Sequence, residues 1–576
     1  MKDRAYNGIG VNGHLQDWFS INWKAVKKRV RNLRQRIYRA TQNGQWNKVR
    51  SLMKLMLRSF SNLLLSMRRI TLENQGKRTA GIDGQTALTP EQRVKLVNEM
   101  RQYSLGQVQP TKRVYILKPN GKKRPLGIPS ICDRVAQTIV KNALEPSWES
   151  RFEANSYGFR PGRSTHDAIE KVFNRFASGN DKWVLDADIK GAFDNISHDY
   201  LLKTIGLVPG RELIKQWLKA GYVEMGHIHS TNSGTPQGSS ISPLLANIAL
   251  HGLEEFLAQF ITKTKYRYAN GKMTTYTRER YGFIRFADDF IVTARNLEDI
   301  DYIKPFIEGW LKNRGLELNQ DKTRIVNVES GFNFLGFNIR QYKGKCLTKP
   351  QKEKVLAKIK EIREWLKNNP HVSPFAVIAK LNPLIRGWGN YYRFGVSKEV
   401  FSYFDYQVWK ALYRWALRRH LKRRKKWVRR KYFHRQTKGG WKFFAHVQDR
   451  KGKLKKIYIA KLSEIPIQRH VKVKDLASPD DPTLRKYWLD RATRYGKTRW
   501  IKDSKLYKVA EKQDWLCPIC GEHLFNGEEL DTHHLLKVKD GGTDDINNLV
   551  HLHKTCHQAV HSKRHSGKLR LEPDDE

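Results

Sequence analysis

Residues 281–294 constrain the fold more than any other part of the sequence. They place two neighbouring carboxylates, Asp288 and Asp289, between two runs of β-branched and aromatic residues. Such runs favour strands, so the acids should lie at a bend between two strands. Paired carboxylates in apolar surroundings are costly unless a positive group neutralises them, and Mg²⁺ prefers carboxylate oxygens. An acidic surface turn is the alternative, and these residues alone do not decide between the two.

A second acidic segment, residues 183–195, strengthens the metal interpretation. Asp186 and Asp188 alternate with apolar residues, which places both carboxylates on one side of a strand. A third carboxylate from a separate strand is what a two-metal site needs, where one ion activates a hydroxyl and the other stabilises a leaving pyrophosphate. Alternatively, one acid caps the following helix. Because two acids are present, one can cap the helix while the other binds a metal ion.

The charge of the chain indicates a polyanionic partner. Lys and Arg number 108 against 56 Asp and Glu, for a net charge of +52, and they are interleaved with 16 Trp and 23 Tyr. Basic surfaces with aromatic platforms suit nucleic acid, because phosphates bind cations and bases stack. A membrane-surface protein is the weaker alternative, since no apolar run of about 18 residues and no signal-peptide segment exists. Five cysteines make no disulfide framework, so we expect a reducing compartment.

The N-terminal part predicts helices and then a basic hairpin. Residues 23–71 show the spacing of apolar residues that is typical of helices, with a break at 42–44 and a second helix that runs through Phe60. This pair of basic helices could be purely structural or could bind nucleic acid. Two strand-like runs then flank a turn and carry Lys118 and Arg124 near its tip. Cations there could hold a triphosphate, although basic hairpins are common.

A turn at residues 235–243 opens a predicted helix from Leu244 to Leu253, whose free N–H groups could line a nucleotide pocket.

The pattern from Lys352 to about Arg430 is helical again. Ten of the fourteen residues from Arg418 to Lys431 are Lys or Arg and none is acidic. This composition favours a surface that binds the phosphates of nucleic acid over a solvent-exposed helix face without a function.

Four residues near the C-terminus have the spacing of zinc ligands. Cys517 and Cys520 form a CxxC pair, and His553 and Cys556 form an HxxC pair. A closed zinc site would stabilise a module of about 60 residues that is too small for a self-sufficient core. Stray reduced cysteines are the alternative, which is less expected because the other two cysteines of the chain are solitary.

Together these motifs resemble a reverse transcriptase of the group II intron-encoded family. The matching segments include residues 81–84 of its N-terminal extension and 157–163 of its fingers, and 381–392 resemble its maturase region, which doubles as the thumb. The palm blocks follow in the family's order: an aspartate strand at 183–195, a Pro-Gln-Gly turn at 236–238, the Ala-Asp-Asp hairpin at 287–289, a lysine block at 315–323 and a Leu-Gly block at 332–337.

The resemblance implies a multidomain α+β protein with right-hand polymerase fingers and an antiparallel palm sheet, a helical thumb and a small zinc-stapled ββα nuclease module. The domains it implies are a basic helical N-terminal extension (1–75), fingers and palm (76–345), a thumb or maturase domain (346–435), a basic, mostly short-stranded or irregular DNA-binding region (436–500) and an HNH module (501–576).

By the same resemblance, Asp188, Asp288 and Asp289 are the catalytic carboxylates and hold two Mg²⁺ ions. Asp188 is preferred to Asp186 because Phe193, five residues on, falls where the family has a steric gate. That gate excludes a ribose 2′-hydroxyl and makes deoxynucleotides the substrate, and core packing of Phe193 is a compatible alternative. The family's other nucleotide-binding positions fall on Lys118 and Arg124 (triphosphate), Gln237 and Gly238 (nucleotide and template pocket) and Lys322 (proton donor to pyrophosphate).

One departure from the family pattern is visible, because many members have Tyr before Ala-Asp-Asp and this chain has Phe286. Losing one hydroxyl while keeping the ring should change the packing little. It puts fidelity or primer contact in question and leaves the expected metal ligands intact.

Residues 531–557 resemble an HNH endonuclease, in which a strand, a loop, a second strand and a metal-binding helix follow one another. The resemblance assigns His533 and His557 to one catalytic metal ion, His534 as the base that activates water, and Asn548 to ordering the loop. His553 belongs with the zinc by spacing, and His551 and His561 are expected to be incidental. A zinc ribbon without nuclease activity is the alternative.

The function implied is that of a multifunctional group II intron-encoded protein: an RNA-directed DNA polymerase, a splicing maturase and a nuclease that nicks target DNA to prime reverse transcription. Its expected partners are group II intron RNA in a ribonucleoprotein complex, target DNA and dNTPs, without a membrane. A reverse transcriptase of another bacterial system should lack the maturase-like thumb and the HNH tail. A splicing-only maturase should lose the palm acids, and all three are present.

Overall fold

The N-terminal region is helical. The computed structural model of the protein describes residues 14–101, 108–117, 121, 123–267, 273–436, 440–448, 452, 454–500 and 502–561. Its first helices are α1 (Trp23–Gln42), α2 (Trp46–Leu57), α3 (Phe60–Arg68) and α4 (Pro90–Met100).

The predicted continuous helix through Phe60 is wrong. Helix α2 ends at Leu57, and the Ser59 hydroxyl accepts a hydrogen bond from the Asn62 N–H at the start of α3. A serine at this position satisfies a free N–H group of a new helix and therefore favours a separate start. Three helices thus lie between Trp23 and Arg68.

The next segment combines short strands with helices. Strands β1 and β2 form an antiparallel hairpin, and β1 also pairs in parallel with β4, which gives a sheet of order β2-β1-β4-β5. The elements are β1 (Thr111–Leu117), β2 (Lys123–Ile128), α5 (Ile131–Glu149), α6 (Thr165–Ala177), β3 (Trp183–Asp188), α7 (Ala192–Asn195), α8 (His198–Ile205), α9 (Arg211–Lys219), β4 (Tyr222–Glu224), β5 (His227–His229), α10 (Ser242–Ala249) and α11 (Leu253–Ala258).

The helix predicted from Leu244 to Leu253 is wrong at its end. Helix α10 stops at Ala249, and α11 begins directly after Gly252, whose φ is 98°. A glycine adopts this left-handed conformation without steric cost, so it ends one helix and allows the next to start in a new direction.

A four-stranded antiparallel sheet, here called the acidic sheet, has the order β10-β3-β9-β8. Alternate residues of β3 enter different cores, since Leu185 packs with the N-terminal helices and Val184 packs with the segments that follow the sheet. The elements of this segment are β6 (Ile261–Arg267), β7 (Met273–Glu279), β8 (Gly282–Phe286), β9 (Asp289–Ala294), α12 (Leu297–Lys312), β10 (Arg324–Asn327), β11 (Phe332–Phe334), β12 (Phe337–Tyr342) and β13 (Lys345–Pro350).

Helices dominate the following segment, and they share one core with α6 and with β11 to β13. Residues 436–500 were predicted to be short-stranded or irregular; the strands are present, but the prediction missed the 13-residue helix α17. The elements are α13 (Lys352–Asn368), α14 (Pro374–Tyr392), α15 (Lys398–Arg418), α16 (Lys425–Tyr432), β14 (Phe433–Gln436), β15 (Gly440–Gln448), β16 (Leu454–Tyr458) and α17 (Arg485–Lys497).

A buried carboxylate, Asp167 in α6, fastens the segment around α17 to the rest of the protein. It accepts hydrogen bonds from His470 Nε2 (2.9 Å), the Val473 N–H (2.7 Å) and Arg491 Nη2 (2.7 Å). Burial by itself would raise the pKa of Asp167, but the His470 bond and the Arg491 charge outweigh it and lower the pKa to about 2. The stabilisation is therefore present above the ordinary pKa of an aspartate and is lost as the pH falls towards 2.

We expect Asp167→Asn to destabilise the protein at neutral pH by about 3–5 kcal/mol, because it leaves the buried partners Arg491 and His470 uncompensated. Chemical denaturation followed by circular dichroism measures this loss. The matched control is Asp490→Asn on the exposed side of α17. Equal midpoints for the two variants would show that Asp167 does not fasten this segment.

The C-terminal module, residues 502–561, has a small core of its own. Its elements are α18 (Lys505–Lys512), β17 (Leu530–His534), β18 (Leu549–His553) and α19 (Lys554–His561). Glu528 of the module pairs with Lys27 of α1 (2.9 Å) and with Arg68 of α3. None of the helices within the described ranges is both long and apolar enough to cross a bilayer.

Candidate active sites in the acidic sheet and the C-terminal module

The register of the acidic sheet brings three carboxylates together. Phe286 pairs with Asp289 across the β8–β9 hairpin, which leaves a two-residue loop of Ala287 and Asp288. Asp188, the last residue of β3, is the cross-strand neighbour of Asp289. Directly opposed residues of antiparallel strands have Cβ atoms about 5 Å apart. The three predicted catalytic carboxylates therefore converge at one end of this sheet.

Buried polar contacts hold the bend that carries Asp288. Ala287 has a φ of 59°, a conformation that is uncommon for a residue other than glycine. The guanidinium of buried Arg285 donates to the Ala287 carbonyl (3.2 Å), to Asn247 Oδ1 (3.1 Å) and to Ser156 Oγ (2.6 Å). A Cβ on Gly158 would lie 2.2 Å from the Ala287 nitrogen, so only glycine fits against the bend. Sequence reasoning missed Arg285, because its partners come from distant segments.

The electrostatics of the acid cluster suit a cation. Burial, with a smaller contribution from Asp188, raises the pKa of Asp288. Burial and the charges of Asp288 and Asp188 raise the pKa of Asp289 to about 7. Three carboxylates this close resist full ionisation unless a positive charge joins them. The donor set of carboxylate oxygens fits hard Mg²⁺ ions.

Asp188 and Asp186 have different surroundings, although they share one face of β3. Asp188 Oδ2 accepts hydrogen bonds from Lys322 Nζ (2.7 Å) and Asn319 Nδ2 (3.0 Å). Asp186 lies opposite Ile291 and Arg324, two residues away from the bend, and burial raises its pKa to about 6. The register thus brings Asp188 rather than Asp186 next to the acid pair.

A chain of hydrogen bonds connects the β1–β2 hairpin to the residues near Phe193. Arg124 Nε donates to Gln237 Oε1 (2.8 Å), and Gln237 Nε2 donates to both carboxylate oxygens of Asp194 (3.0 Å each). A Cβ on Gly238 would lie 2.6 Å from the Gly127 carbonyl, so the turn must pass close to β2. The structure therefore brings Arg124, Gln237 and Gly238 together, and Lys118 lies outside the described residues.

Phe193 lines a cavity together with Asp194 and Gln237, two members of this chain of hydrogen bonds. The cavity has a volume of about 390 Å³ and is also lined by Arg113 and Tyr222. The Phe193 ring is nearly buried and packs edge-to-face on Phe159, with centroids 5.9 Å apart. Phe193 thus packs in the core and also forms part of the cavity wall.

The four predicted zinc ligands form one buried cluster. The ligand atoms of Cys517, Cys520, His553 and Cys556 all lie within 4.8 Å of one another. His553 Nε2 lies 3.2 Å from the His523 carbonyl, which directs the other ring nitrogen towards the Cys520 sulfur at 3.3 Å. Three thiols and one imidazole in this arrangement fit a closed tetrahedral zinc site.

We expect Cys520→Ser to remove zinc from the protein and to unfold the C-terminal module, since structural zinc contributes on the order of 10 kcal/mol to such small modules. Elemental analysis by mass spectrometry and limited proteolysis measure the two effects. Cys346→Ser, which changes a buried cysteine far from the cluster, is the matched control and should keep the zinc. Equal zinc content in both variants would contradict the assignment of Cys520 as a ligand.

A second cluster consists of three histidines. His557 Nε2 lies 3.1 Å from His533 Nδ1 and 3.0 Å from His561 Nε2. His561, which was expected to be incidental, thus lies within reach of the two predicted metal ligands. Positions four apart on α19 share one helical face, and this i, i+4 spacing was a signal in the sequence.

The histidine cluster favours the neutral, metal-binding form of imidazole. Burial, together with the charges of His557 and His561, lowers the pKa of His533 to about 4. The Asp531 carboxylate lies 3.0 Å from His557 Nδ1, which orients that ring with Nε2 towards the other histidines. Carboxylate-oriented imidazoles of this kind are typical of metal sites.

His534 and Asn548 lie beside this cluster and have separate contacts. His534 Nε2 is 2.7 Å from Asp544 Oδ1. Asn548 bonds the loop at both ends, to the N–H and carbonyl of Leu536 and to the carbonyl of Thr543. His551, in contrast, is buried and stacks on Trp500.

Four family models match the chain. They are an N-terminal domain of reverse transcriptase over residues 18–100, a reverse transcriptase (RNA-dependent DNA polymerase) over 116–339, a group II intron maturase-specific domain over 355–433 and an HNH endonuclease over 517–563. The acid cluster falls within the second match, and both His and Cys clusters fall within the last.

Curated relatives match nearly half of the chain. Protein YkfC of Escherichia coli is 37% identical over 301 residues, which are 47% of this chain and 78% of YkfC. Group II intron-encoded protein LtrA of Lactococcus lactis is 34% identical over 319 residues, which are 46% of this chain and about half (53%) of LtrA. A telomerase structure from Candida tropicalis aligns with a TM-score of 0.30 at 16% identity, covering 43% of this chain and 56% of that one.

The assignment rests on the family models and on the curated relatives rather than on that structural likeness. The polymerase, maturase and nuclease models match successive segments of the chain. The carboxylates and histidines expected for the first and last of these converge in space. The chain belongs to the group II intron-encoded family and combines a reverse transcriptase, a maturase-specific domain and an HNH endonuclease.

Proposed function

We propose that the chain copies RNA into DNA at Asp188, Asp288 and Asp289, in a palm formed by the acidic sheet. The observation that carries this proposal is the cross-strand pairing of Asp188 with Asp289 beside the bend at Asp288. These carboxylates would hold two Mg²⁺ ions, which when bound acidify the primer hydroxyl and stabilise the leaving pyrophosphate. The protein's own contribution is to fix three carboxylates on two strands of a sheet that is buried on both faces.

The nucleotide would enter the cavity between the β1–β2 hairpin and the palm. Arg124, with Lys118 from the segment that joins β1 to β2, binds the triphosphate, and Gln237 and Gly238 shape the pocket for nucleotide and template. Phe193 occupies the space of a ribose 2′-hydroxyl. The hydrogen bond to Asp188 raises the pKa of Lys322, which keeps its ammonium protonated and able to give a proton to pyrophosphate.

The nuclease would act at the three-histidine cluster. His533, His557 and His561 would hold one divalent ion, which when bound polarises the scissile phosphate. His534 takes a proton from the attacking water, and the Asp544 carboxylate holds its Nε2 so that Nδ1 remains for that water. The Cys517, Cys520, His553 and Cys556 cluster would hold a structural zinc ion that fixes the start of α19.

We propose a division of labour for the remaining segments. The N-terminal extension (1–75) and the thumb (346–435) bind intron RNA and promote its splicing, the fingers and palm (76–345) polymerise, and residues 436–500 contact target DNA. The HNH module (501–576) cuts one DNA strand, and the freed 3′-hydroxyl primes synthesis from dNTPs across the inserted RNA. The ribonucleoprotein would do this in the cytoplasm or an organelle, away from membranes.

Sequencing the RNA that co-purifies with the protein tests this function. We expect one group II intron RNA to be enriched and to be spliced faster when the protein is present. Enrichment of an unrelated structured RNA would favour a reverse transcriptase of another system.

The basic block from Arg418 to Lys431 allows a second, sharper test of RNA binding. Replacing Lys422, Arg423 and Lys426 with Gln should lower the salt dependence of intron binding, by about 0.7–0.9 in log–log slope for each ion pair with phosphate that the change removes. Filter binding over a range of salt concentrations measures this slope. The control replaces Lys354, Lys358 and Lys360 of α13, where acids are interspersed. Equal slopes for the two triple variants would contradict the proposal.

A further inference from the structure

A cavity lies where the N-terminal helices meet helix α19 of the C-terminal module, away from both acid and histidine clusters. Its volume is about 410 Å³. Trp18, Trp23, Arg68 and Arg93 line it from the N-terminal side, and Gln558 lines it from α19. Cavities of this size between domains are typical positions for small ligands.

The charged side chains that line the cavity are all basic. Arg68, Lys77, Arg78 and Arg93 contribute to the wall, and no Asp or Glu among the described residues lines it. Arg68 is paired with Glu73 and Glu528 through other nitrogens, outside the wall. An anion is therefore the ligand that this lining would attract.

Two of these guanidinium groups have buried N–H donors without an acceptor. Arg68 Nη1 and Arg93 Nε are buried, and no acceptor within the described part of the chain is in hydrogen-bond reach of either. The two residues are only 1% and 6% exposed. Burial lowers the pKa of Arg93 to about 10. A buried donor that is left unmet is costly, and both residues line the cavity, so a small shift of either side chain would let an acceptor in the cavity satisfy it.

The cavity also has an aromatic wall. The rings of Trp18 and Trp23 lie 5.2 Å apart, the Arg93 guanidinium is 5.7 Å from the Trp18 ring and the Arg68 guanidinium is 4.8 Å from the Trp23 ring. Trp18 is only 4% exposed and supports Trp23 from the core, whereas Trp23 is half-buried. A nucleobase can stack on such a partly exposed indole while cations beside it neutralise the phosphate.

We propose that this cavity binds a nucleoside phosphate, whose phosphate oxygens accept hydrogen bonds from Arg68 and Arg93 and whose base packs on the half-buried indole of Trp23. The site shares no residue with the polymerase pocket. It also lies on the other side of α19 from the catalytic histidines, because Thr555 and Ala559 point about 160–200° away from His557 at 100° per residue. The ligand is a free nucleotide or one nucleotide of a bound strand.

Photo-crosslinking of the full-length protein with 8-azidoadenosine 5′-monophosphate tests the proposal. We expect the probe to label peptides that contain Trp18, Trp23 or residues 555–559. Arg93→Gln should weaken labelling about tenfold or more, which corresponds to one charge-assisted hydrogen bond. Arg124→Gln, in the polymerase pocket, should leave this labelling unchanged. Labelling confined to the fingers and palm, or unaltered in Arg93→Gln, would overturn the proposal.

A second variant and two competitors complete the test. Gln558→Trp fills the cavity from its exposed rim without removing a charge, and it should also abolish labelling; thermal unfolding shows whether each variant is folded. Adenosine 5′-monophosphate should compete at lower concentration than inorganic phosphate, and equal competition would reject the nucleoside. If the natural ligand is one nucleotide of a bound strand, an oligonucleotide with the azido base at an internal position should label the site. If the natural ligand is a free nucleotide, only the mononucleotide should label it.

Discussion

Asp288→Ala is expected to abolish extension of a DNA primer on an RNA template, with a loss of at least about 10³-fold in rate. The change removes one of three carboxylates that converge at the end of the acidic sheet. The two that remain cannot hold two divalent ions in the positions that the attacking and leaving oxygens need. Single-turnover extension with labelled primer measures the loss.

The same variant separates polymerisation from splicing. Asp301→Ala, which removes an exposed acid from α12, is the control and should extend the primer at the normal rate. Both variants should still accelerate splicing of the intron RNA, because the thumb and its basic block are unchanged. A joint loss of extension and splicing in Asp288→Ala would show that the two activities do not belong to separate parts of the chain.

His534→Ala is expected to stop nicking of the DNA target by the HNH module, with a loss of about 10²–10⁴-fold in rate. His534 is the histidine of this region whose ring contacts the Asp544 carboxylate beside the three-histidine cluster. In the proposed mechanism this imidazole accepts the proton of the attacking water, so its removal leaves that water without its base. Cleavage of an end-labelled target strand by the purified ribonucleoprotein measures the effect.

Synthesis from a supplied primer should be unchanged in His534→Ala, because the acid cluster is in another domain. His371→Ala, at an exposed position before α14, is the matched control for loss of a histidine. Persistent nicking by pure His534→Ala protein would reject this histidine as the base.

Much of both sites could be predicted because their residues follow local rules. The alternation around Asp186 and Asp188 and the two apolar runs around Asp288 and Asp289 specify strands and a bend. The CxxC and HxxC spacings specify ligands that adjacent turns can bring together. The alternation alone did not distinguish Asp188 from Asp186; the family resemblance favoured Asp188, and the long-range register of the sheet places Asp188 beside Asp289.

Other features depend on interactions that have no local signal. Arg285 supports the Ala287 bend through Asn247 and Ser156, which are far away in the sequence. Helix α17 is basic and weakly patterned, and it is held by the bond from Arg491 to Asp167 in α6. In contrast, the proximity of His557 and His561 has a local signal, because positions four apart share one face of α19.

The pairing of Glu528 with Lys27 and Arg68 has a consequence for how the two enzymes work together. These side chains are almost fully shielded from water, and Arg31 adds a further ion pair to Glu522 of the same module at 2.8 Å. These pairs fasten the nuclease module to the helices of the N-terminal region. In the function proposed above, this contact would keep constant the length of DNA between the cut bond and the point where copying begins.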